Sequence, residues 1–201
     1  ALNDRVSPLA PMAYPVFRDV WAASLASNLG SLIQAVGAAW LMTSIAASAD
    51  MVALVQASIA LPVMIFSLAS GAIADNFDRR RVMLIAQLFM LAVSVALAAC
   101  TYAGLITPWL LLAFTFLIGC GTALYNPSWQ ASVGDMVPRP VLPSAVALNS
   151  VNFNLSRSVG PAIGGIIVAS FGAAAAFSVN AVSYIPLLFA LGRWKTVMPP
   201  A

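Results

Sequence analysis

Polar side chains recur at helical spacing inside two long apolar runs of this 201-residue chain. Amides and hydroxyls spaced three or four residues apart share one face of an α-helix, and a guanidinium lies beside the second set. We predict that these residues face a hydrated cavity: Asn28, Ser31, Gln34, Asn149, Asn152, Ser156 and Arg157. The alternative is that the two polar stripes only hydrogen-bond neighbouring helices to each other.

The chemistry available to such a cavity is hydrogen bonding plus one positive charge. Arg157 lies about 14 residues into its apolar run, which places it roughly 20 Å along a helix and close to the middle of a bilayer. A cation at that depth is costly, so it should face protein or water. An arginine there favours an anionic or hydrogen-bond-accepting small molecule.

Enzyme and nucleic-acid chemistry find little support in the composition. The chain has no histidine, and all six of its acidic residues are aspartates, so the usual nucleophile–base pairs and metal sites cannot be assembled. The basic residues form short clusters at the ends of apolar runs and no basic face. We therefore predict no enzymatic activity, no metal, no cofactor and no nucleic-acid partner.

The fold class follows from hydropathy. The chain is 62% hydrophobic and only 7% charged, against the roughly one quarter that is usual for soluble proteins. Uncharged runs exceed the roughly 20 residues that one helix needs to cross a bilayer. We predict an all-α integral membrane protein, a bundle of six transmembrane helices built as a 3+3 inverted repeat. The predicted spans are 17–45, 50–74, 80–103, 107–130, 143–169 and 173–192.

The distribution of positive charge predicts the orientation of the bundle. Counted on alternate sides of six spans, all basic residues except Arg157 fall on one side: Arg5, Arg18, Arg79, Arg80, Arg81, Arg139, Arg193 and Lys195. Cytoplasmic loops carry such an excess, so both termini are predicted to be cytoplasmic. The division is a cytoplasmic segment over 1–16, a six-helix domain over 17–193, and the start of an interdomain linker over 194–201.

The stretch GAIADNFDRRRV, residues 71–82, concentrates charge between the second and third predicted helices. A carboxylate and guanidinium cluster at the headgroup boundary can hold two helix ends together and still be hydrated. Gly71 lets a neighbouring helix approach at that level. The simpler interpretation is a positively charged anchor that only sets orientation.

This stretch resembles the signature loop of the major facilitator superfamily. Four residues match the motif: Gly71, Asp75, Arg79 and Arg80. Asn76 stands where a basic residue is usual, and Asp78 stands where glycine is usual. In that family the loop acts as a conformational latch against the opposite six-helix half, and the resemblance implies the same role here.

A second match lies in the fifth predicted helix. Gly160, Pro161, Gly164 and Gly165 resemble the end of the helix-bending motif of exporters and antiporters in this superfamily. Proline removes a backbone donor and glycines thin the helix, which permits bending and tight packing. The alternative is an ordinary packing face of small residues.

From about residue 17 to about 194, the chain resembles the branch that contains the enterobactin exporter, macrolide efflux proteins and transmembrane secretion effectors. Members of that branch have twelve helices, so the resemblance implies the N-terminal half of a secondary transporter in the bacterial inner membrane. Its partners would be a small-molecule substrate, either anionic or hydrogen-bond-accepting, the lipid bilayer, and a second six-helix half. That half is either a missing C-terminal half or a second copy. A homodimer or regulatory partner without transport of its own remains the alternative.

Overall fold

The computed structural model describes residues 7–46 and 48–195, apart from the side chains of residues 67, 68 and 70–75. Six long α-helices make up the described chain, together with short 3-10 turns at Ala10–Ala13 and Arg139–Val141, and that part contains no β-strand. The helices are α1 Pro15–Ile45, α2 Ala49–Asn76, α3 Arg79–Tyr102, α4 Pro108–Met136, α5 Leu142–Phe171 and α6 Ala173–Arg193.

Local sequence explains where the helices begin and end. Prolines lie in the first turns of α1 and α4, where a missing N–H costs nothing. Asp78 caps α3, since its carboxylate accepts a 3.0 Å hydrogen bond from the backbone N–H of Arg80. With φ at −59°, Asp78 needs none of the conformational freedom of the glycine it replaces in the motif. Gly172, with φ at +86°, makes the sharp turn between α5 and α6.

The prediction of an all-helical protein with several membrane-spanning helices is confirmed. Six helices occur where the sequence predicts them, and α4 runs to Met136, beyond the predicted end near residue 130. Among the described residues, five helices are long and apolar enough to cross a membrane. The helix outside that set is α5, whose asparagines, serines and Arg157 lower its mean hydropathy. A sixth span and cytoplasmic termini stay predictions.

The packing of the helices follows a simple pattern. The extensive contacts are α1 with α6 and α5, α4 with α2 and α3, and α3 with α6. If α1 is exchanged with α4, α2 with α5 and α3 with α6, the same five pairs of contacting helices result. The first three helices and the last three therefore hold equivalent positions in the bundle.

Two large apolar clusters, a small third one of Ile33, Val168 and Ala176, and a polar layer between the two large clusters form the interior of the described bundle. One cluster includes Phe17, Met83 and Leu187, and the other includes Met42, Leu97 and Phe177 near the opposite ends of the same helices. Buried polar side chains from α1, α3 and α6 lie at the height between the clusters. The bundle thus has a hydrogen-bonded middle layer.

Asn180 is the centre of this polar layer. Its Nδ2 group lies within hydrogen-bond distance of three oxygens, Gln34 Oε1, Ser94 Oγ at 3.3 Å and the Tyr184 hydroxyl at 3.1 Å. Ser94 donates to Gln34 Oε1 at 3.1 Å, and Ser183 donates to Asn180 Oδ1 at 3.2 Å. Because buried polar groups need partners, the network fixes α1, α3 and α6 relative to one another.

Glycines of the helix-bending motif lie against α1. A Cβ atom added at Gly160 would lie 2.8 Å from Leu32 Cβ, and one added at Gly164 would lie 3.1 Å from Ile33 Cα. An added Cβ at Gly165 would meet nothing within 4 Å. Two of the three glycines therefore permit close packing of α1 on α5, while the predicted bending role stays a prediction, with α5 continuous through Pro161.

We expect Gly160→Ala to destabilise the bundle by about 1–3 kcal/mol, because a methyl group there overpacks the contact with α1. Gly165→Ala is the matched control on the same helix, and it should be neutral or slightly stabilising because alanine favours the helix. Thermal unfolding of both variants in detergent checks this expectation. Equal effects of the two substitutions would contradict the close contact.

Candidate functional site

A cavity of about 740 Å³ lies between α1, α4 and α5. Ser24 and Asn28 of α1 form its back, and α4 and α5 form two facing walls. Its lining is mostly amides, hydroxyls and aromatic rings: Ser24, Asn28, Tyr125, Asn126, Trp129, Gln130, Ala131, Val133, Gly134, Leu142, Val146, Asn149, Ser150, Asn152, Phe153 and Asn154. Among the described residues that line it, none is charged.

The α4 wall presents two aromatic rings. Tyr125 and Trp129 are one turn apart, and their rings lie nearly parallel, with an interplanar angle of 7° and centroids 6.4 Å apart. Pro127 lies between them inside the helix and lacks the N–H that would bond to the carbonyl of Ala123. The wall combines flat apolar faces with the amides of Asn126 and Gln130.

Asn152 joins the back of the cavity to the α5 wall. Its Nδ2 donates to the backbone carbonyl of Trp21 at 3.0 Å and to Ser24 Oγ at 3.1 Å, and its Oδ1 accepts from Asn28 Nδ2 at 3.0 Å. The Trp21 indole also donates to the carbonyl of Leu148 at 3.0 Å. The Asn152 amide is therefore used to fix α5 on α1.

The structure brings three of the seven predicted cavity residues together. Asn28, Asn149 and Asn152 line the cavity. Ser156 is buried one turn beyond and donates to the carbonyl of Asn152 at 2.9 Å. The remaining two from α1 lie elsewhere: Gln34 is in the buried polar layer, and Ser31 is exposed outside the lining. The substrate contacts assigned to all seven stay predictions.

Arg157 lies at the edge of this site. Its guanidinium carbon is 5.6 Å from the centroid of the Phe153 ring, a cation–π distance, and Phe153 lines the cavity while Arg157 does not. The arginine side of α5 is exposed in this bundle. The positive charge is therefore beside the cavity and separated from it by an aromatic ring.

Sequence reasoning missed the α4 wall. It ended the fourth helix near residue 130 and predicted no site residue in that helix. The signal was present, because Tyr125, Asn126, Trp129 and Gln130 fall at one-turn spacing in an apolar helix. Asn154, which the helical wheel separates from Asn149 and Asn152, also lines the cavity, since the opening is wide enough to include neighbouring faces of α5.

Comparison with known families decides what kind of protein this bundle is. The chain matches the transmembrane secretion effector family over residues 6–201. It belongs to this family of the major facilitator superfamily.

Individual family members share moderate identity with this chain. An uncharacterized MFS-type transporter of Bacillus subtilis, YfiS, is 29% identical over 143 residues, which cover 70% of this chain and 33% of the relative. The staphyloferrin A transporter of Staphylococcus aureus is 29% identical over 157 residues, 78% of this chain and 40% of the relative. Macrolide efflux protein A of Streptococcus pyogenes is 24% identical over 151 residues, 75% of this chain and 37% of the relative.

These relatives are transporters of bacterial membranes. The aligned segments span between a third and two fifths of their length. No solved structure matches the chain. Family membership and the five apolar helices identify this chain as a multi-pass protein of the bacterial plasma membrane.

The signature loop lies at the same end of the bundle as the cavity. Arg79 Nη1 donates to the carbonyl of Ala131 at 2.9 Å and to Asp135 Oδ2 at 3.0 Å, both on α4. Arg80 donates from Nε to the carbonyl of Leu191 at 2.6 Å and from Nη2 to the carbonyl of Gly192 at 2.7 Å. The two arginines therefore fix the start of α3 to the ends of α4 and α6.

These contacts answer two local electrostatic needs. Asp135 near the carboxyl end of α4 is unfavourable for the helix dipole, and Arg79 offsets its charge. The last carbonyls of α6 have no backbone N–H donor within the helix, and Arg80 donates hydrogen bonds to two of them. Gly71 and Asp75, the other two predicted latch residues, fall where the structure describes the backbone but no side-chain contacts. A latch against a second six-helix half stays a prediction.

Proposed function

We propose that this chain is one six-helix half of a secondary transporter, which exports small molecules by alternating access together with a second six-helix half. The observation that carries the proposal is the polar cavity between α1, α4 and α5, in a chain of a transporter family. Polar groups inside a membrane bundle are expensive unless they serve a substrate or ion pathway.

The symmetry of the packing supports this architecture. Equivalent positions of the first and last three helices are what a 3+3 inverted repeat requires. In such transporters the substrate site lies near the interface between repeats, and one bundle rocks against the other around it. The cavity between α4, the first helix of one repeat, and α1, the first helix of the other, fits that position.

Exposed apolar faces on α2 and α5 support a second half. Met64 and Phe66 of α2 are 75% and 41% exposed, and Val151 and Ile166 of α5 are 54% and 68% exposed. These two helices hold equivalent positions in the packing pattern. A second six-helix bundle can cover both faces and close the open side of the cavity.

The direction of transport and its coupling are part of the same proposal. Macrolide efflux protein A is named for efflux, and we extend that direction to this chain. Asp19, Asp50, Asp78 and Asp135 lie within about one turn of a helix end, away from the membrane centre. We therefore expect the carboxylate that couples transport to an ion to lie in the second half.

The mass of the native product tests the half-transporter proposal directly. An antibody against residues 131–142, applied to native membranes, should reveal a band near twice the mass of this chain. A band at this chain's own mass that crosslinks into pairs would instead identify a second copy as the other half. A band at that mass with no self-crosslinking, and no change in drug accumulation, would overturn the proposal in favour of a regulatory partner.

Arg157 is proposed to attract the anionic or hydrogen-bond-accepting part of a substrate. Replacing Arg157 with glutamine is expected to reduce export of anionic compounds by about tenfold, the effect of losing a charge-assisted hydrogen bond. Efflux from cells loaded with matched anionic and neutral dyes measures this. Arg139→Gln, which removes a positive charge outside the bundle, is the control. Unchanged export of every anionic compound by a folded Arg157→Gln protein would contradict the role.

A further inference from the structure

We infer that the group that enters the α1–α4–α5 cavity is uncharged and planar and both accepts and donates hydrogen bonds, as a phenol or a carboxamide does. The inference rests on the proposed function and narrows its substrate class. It assigns a neutral group to the cavity and leaves anion binding to Arg157 at the cavity edge.

Two unpaired polar atoms define the hydrogen-bonding requirement. The side chain of Tyr125 is only 8% exposed, yet its hydroxyl has no hydrogen-bond partner in the described part of the chain. Asn149 Oδ1 is also buried and lacks a partner among the described residues. The two residues line the cavity from opposite walls, α4 and α5. Buried polar groups are normally paired, so a bound group gains one donor and one acceptor when these two side chains, whose polar atoms are almost fully covered in this structure, turn toward the cavity.

The remaining lining explains why that group should be neutral. Asn126, Gln130 and Asn154 supply amides, which donate and accept hydrogen bonds but carry no charge. Among the described lining residues there is no counter-ion for an acid or an amine. Burying an ion without a partner is far more costly than burying a hydrogen-bonded neutral group.

The aromatic rings explain why the group should be flat. Tyr125 and Trp129 present nearly parallel faces on α4, and Phe153 lines the cavity from α5. Aromatic or amide planes can stack on such faces while their edges remain free for hydrogen bonds. An aliphatic chain could fill the space but would leave Tyr125 and Asn149 unpaired.

Arg157 offers a separate anion site at the rim. Its guanidinium lies over the Phe153 ring and outside the cavity lining. A neutral ligand in the cavity therefore requires Tyr125 and not Arg157, whereas an anion at the rim requires the reverse. Substitution of Tyr125 tests binding of the neutral ligand, and substitution of Arg157 tests binding of the anion.

The test measures binding of benzamide and benzoate to the purified native product in lipid nanodiscs, by equilibrium scintillation proximity with tritiated probes. These probes have nearly the same shape and differ in charge. We expect the amide to bind, and Tyr125→Phe to weaken its binding by about three- to tenfold, since one hydrogen bond is lost without a change in shape. Tyr102→Phe, on an exposed ring at the far end of α3, should leave its affinity unchanged.

Three results would overturn the inference: no binding of the amide to the unmodified protein, equal binding of the amide by Tyr125→Phe, or binding of the benzoate that is as tight as that of the amide and is weakened by Tyr125→Phe. The proposed function is tested separately by efflux. If the amide binds through Tyr125 but cells that express the native product show no change in accumulation of any compound, the binding chemistry stands and transport does not. If efflux occurs and Tyr125→Phe binds the amide normally, transport stands and the substrate class is wrong.

Discussion

Replacing Asn180 with leucine is expected to destabilise the bundle by about 2–3 kcal/mol, well above the roughly 0.6 kcal/mol typical of one hydrogen bond between membrane helices. The effect is large because Asn180 serves three partners at once. Leucine removes the donor shared by Gln34, Ser94 and Tyr184, all of which stay buried. Their lost hydrogen bonds cannot be replaced by water in a closed interior.

The midpoint of thermal unfolding in detergent measures this loss. A change of 2–3 kcal/mol in a chain of this length should lower Tm by about 5–10 °C. Ser178→Ala is the control on the same helix, because within the described part of the chain its hydroxyl bonds to the carbonyl of Ala174 in its own helix and to no other helix. A Tm for Asn180→Leu as high as that of the control would show that the polar layer does not hold the helices together.

The second large effect is expected at Arg80. Replacing it with glutamine removes two short, charge-assisted hydrogen bonds to the carbonyls of Leu191 and Gly192, and should cost about 2–3 kcal/mol. The end of α6 would then lose its attachment to the start of α3. We therefore expect faster hydrogen exchange of the last turn of α6 as well as a lower Tm.

Arg81→Gln is a closely matched control for Arg80→Gln. The Arg81 side chain is 80% exposed, and among the described residues its one ion pair is with Asp78, at 3.6 Å in the same turn. Both substitutions remove one positive charge at the same membrane boundary, so any change in orientation is common to them. Similar losses of stability in the two variants would show that charge at the boundary, and not the hydrogen bonds to α6, sets the effect.

These contacts give the signature loop a role within this six-helix bundle. Arg79 and Arg80 both bind groups of this same six-helix bundle, although the family resemblance suggested contacts with an opposite half. The two roles are compatible, because a loop that is fixed to α4 and α6 can transmit a movement of a second bundle to these two helices. Asp75, which is proposed to make the contact with that bundle, lies on the other side of the loop in sequence.

The helices and their order could be predicted from the sequence because the signal is local. Apolar runs of the required length, interrupted by charge and turn residues, define each helix without reference to the others. The end of α4 was misjudged because Asn126, Gln130 and Asp135 resemble the polar end of a span. In the folded chain these residues continue the helix, since the cavity and Arg79 provide them with polar surroundings.

Which polar residues share a site could be predicted only in part. Helical spacing correctly grouped Asn149 with Asn152, yet it also placed Gln34 and Asn28 together, although one is in the buried layer and the other lines the cavity. Spacing determines the face of one helix, but it does not determine which neighbour covers that face. The neighbour of Gln34 is α6, and no local pattern in α1 indicates Asn180.

The sequence by itself determined the membrane class, the six helices, their likeness to a transporter family and the presence of costly polar groups within apolar runs. Only the tertiary structure decided that Asn180 joins three helices, that Tyr125 and Asn149 face one cavity without partners, and that Arg157 lies at its edge. The physical reason is the range of the interactions. Helix formation and membrane insertion depend on neighbours along the chain, whereas hydrogen-bond partners and cavity walls come from different helices, whose residues lie far apart in the sequence, as Gln34 and Asn180 do.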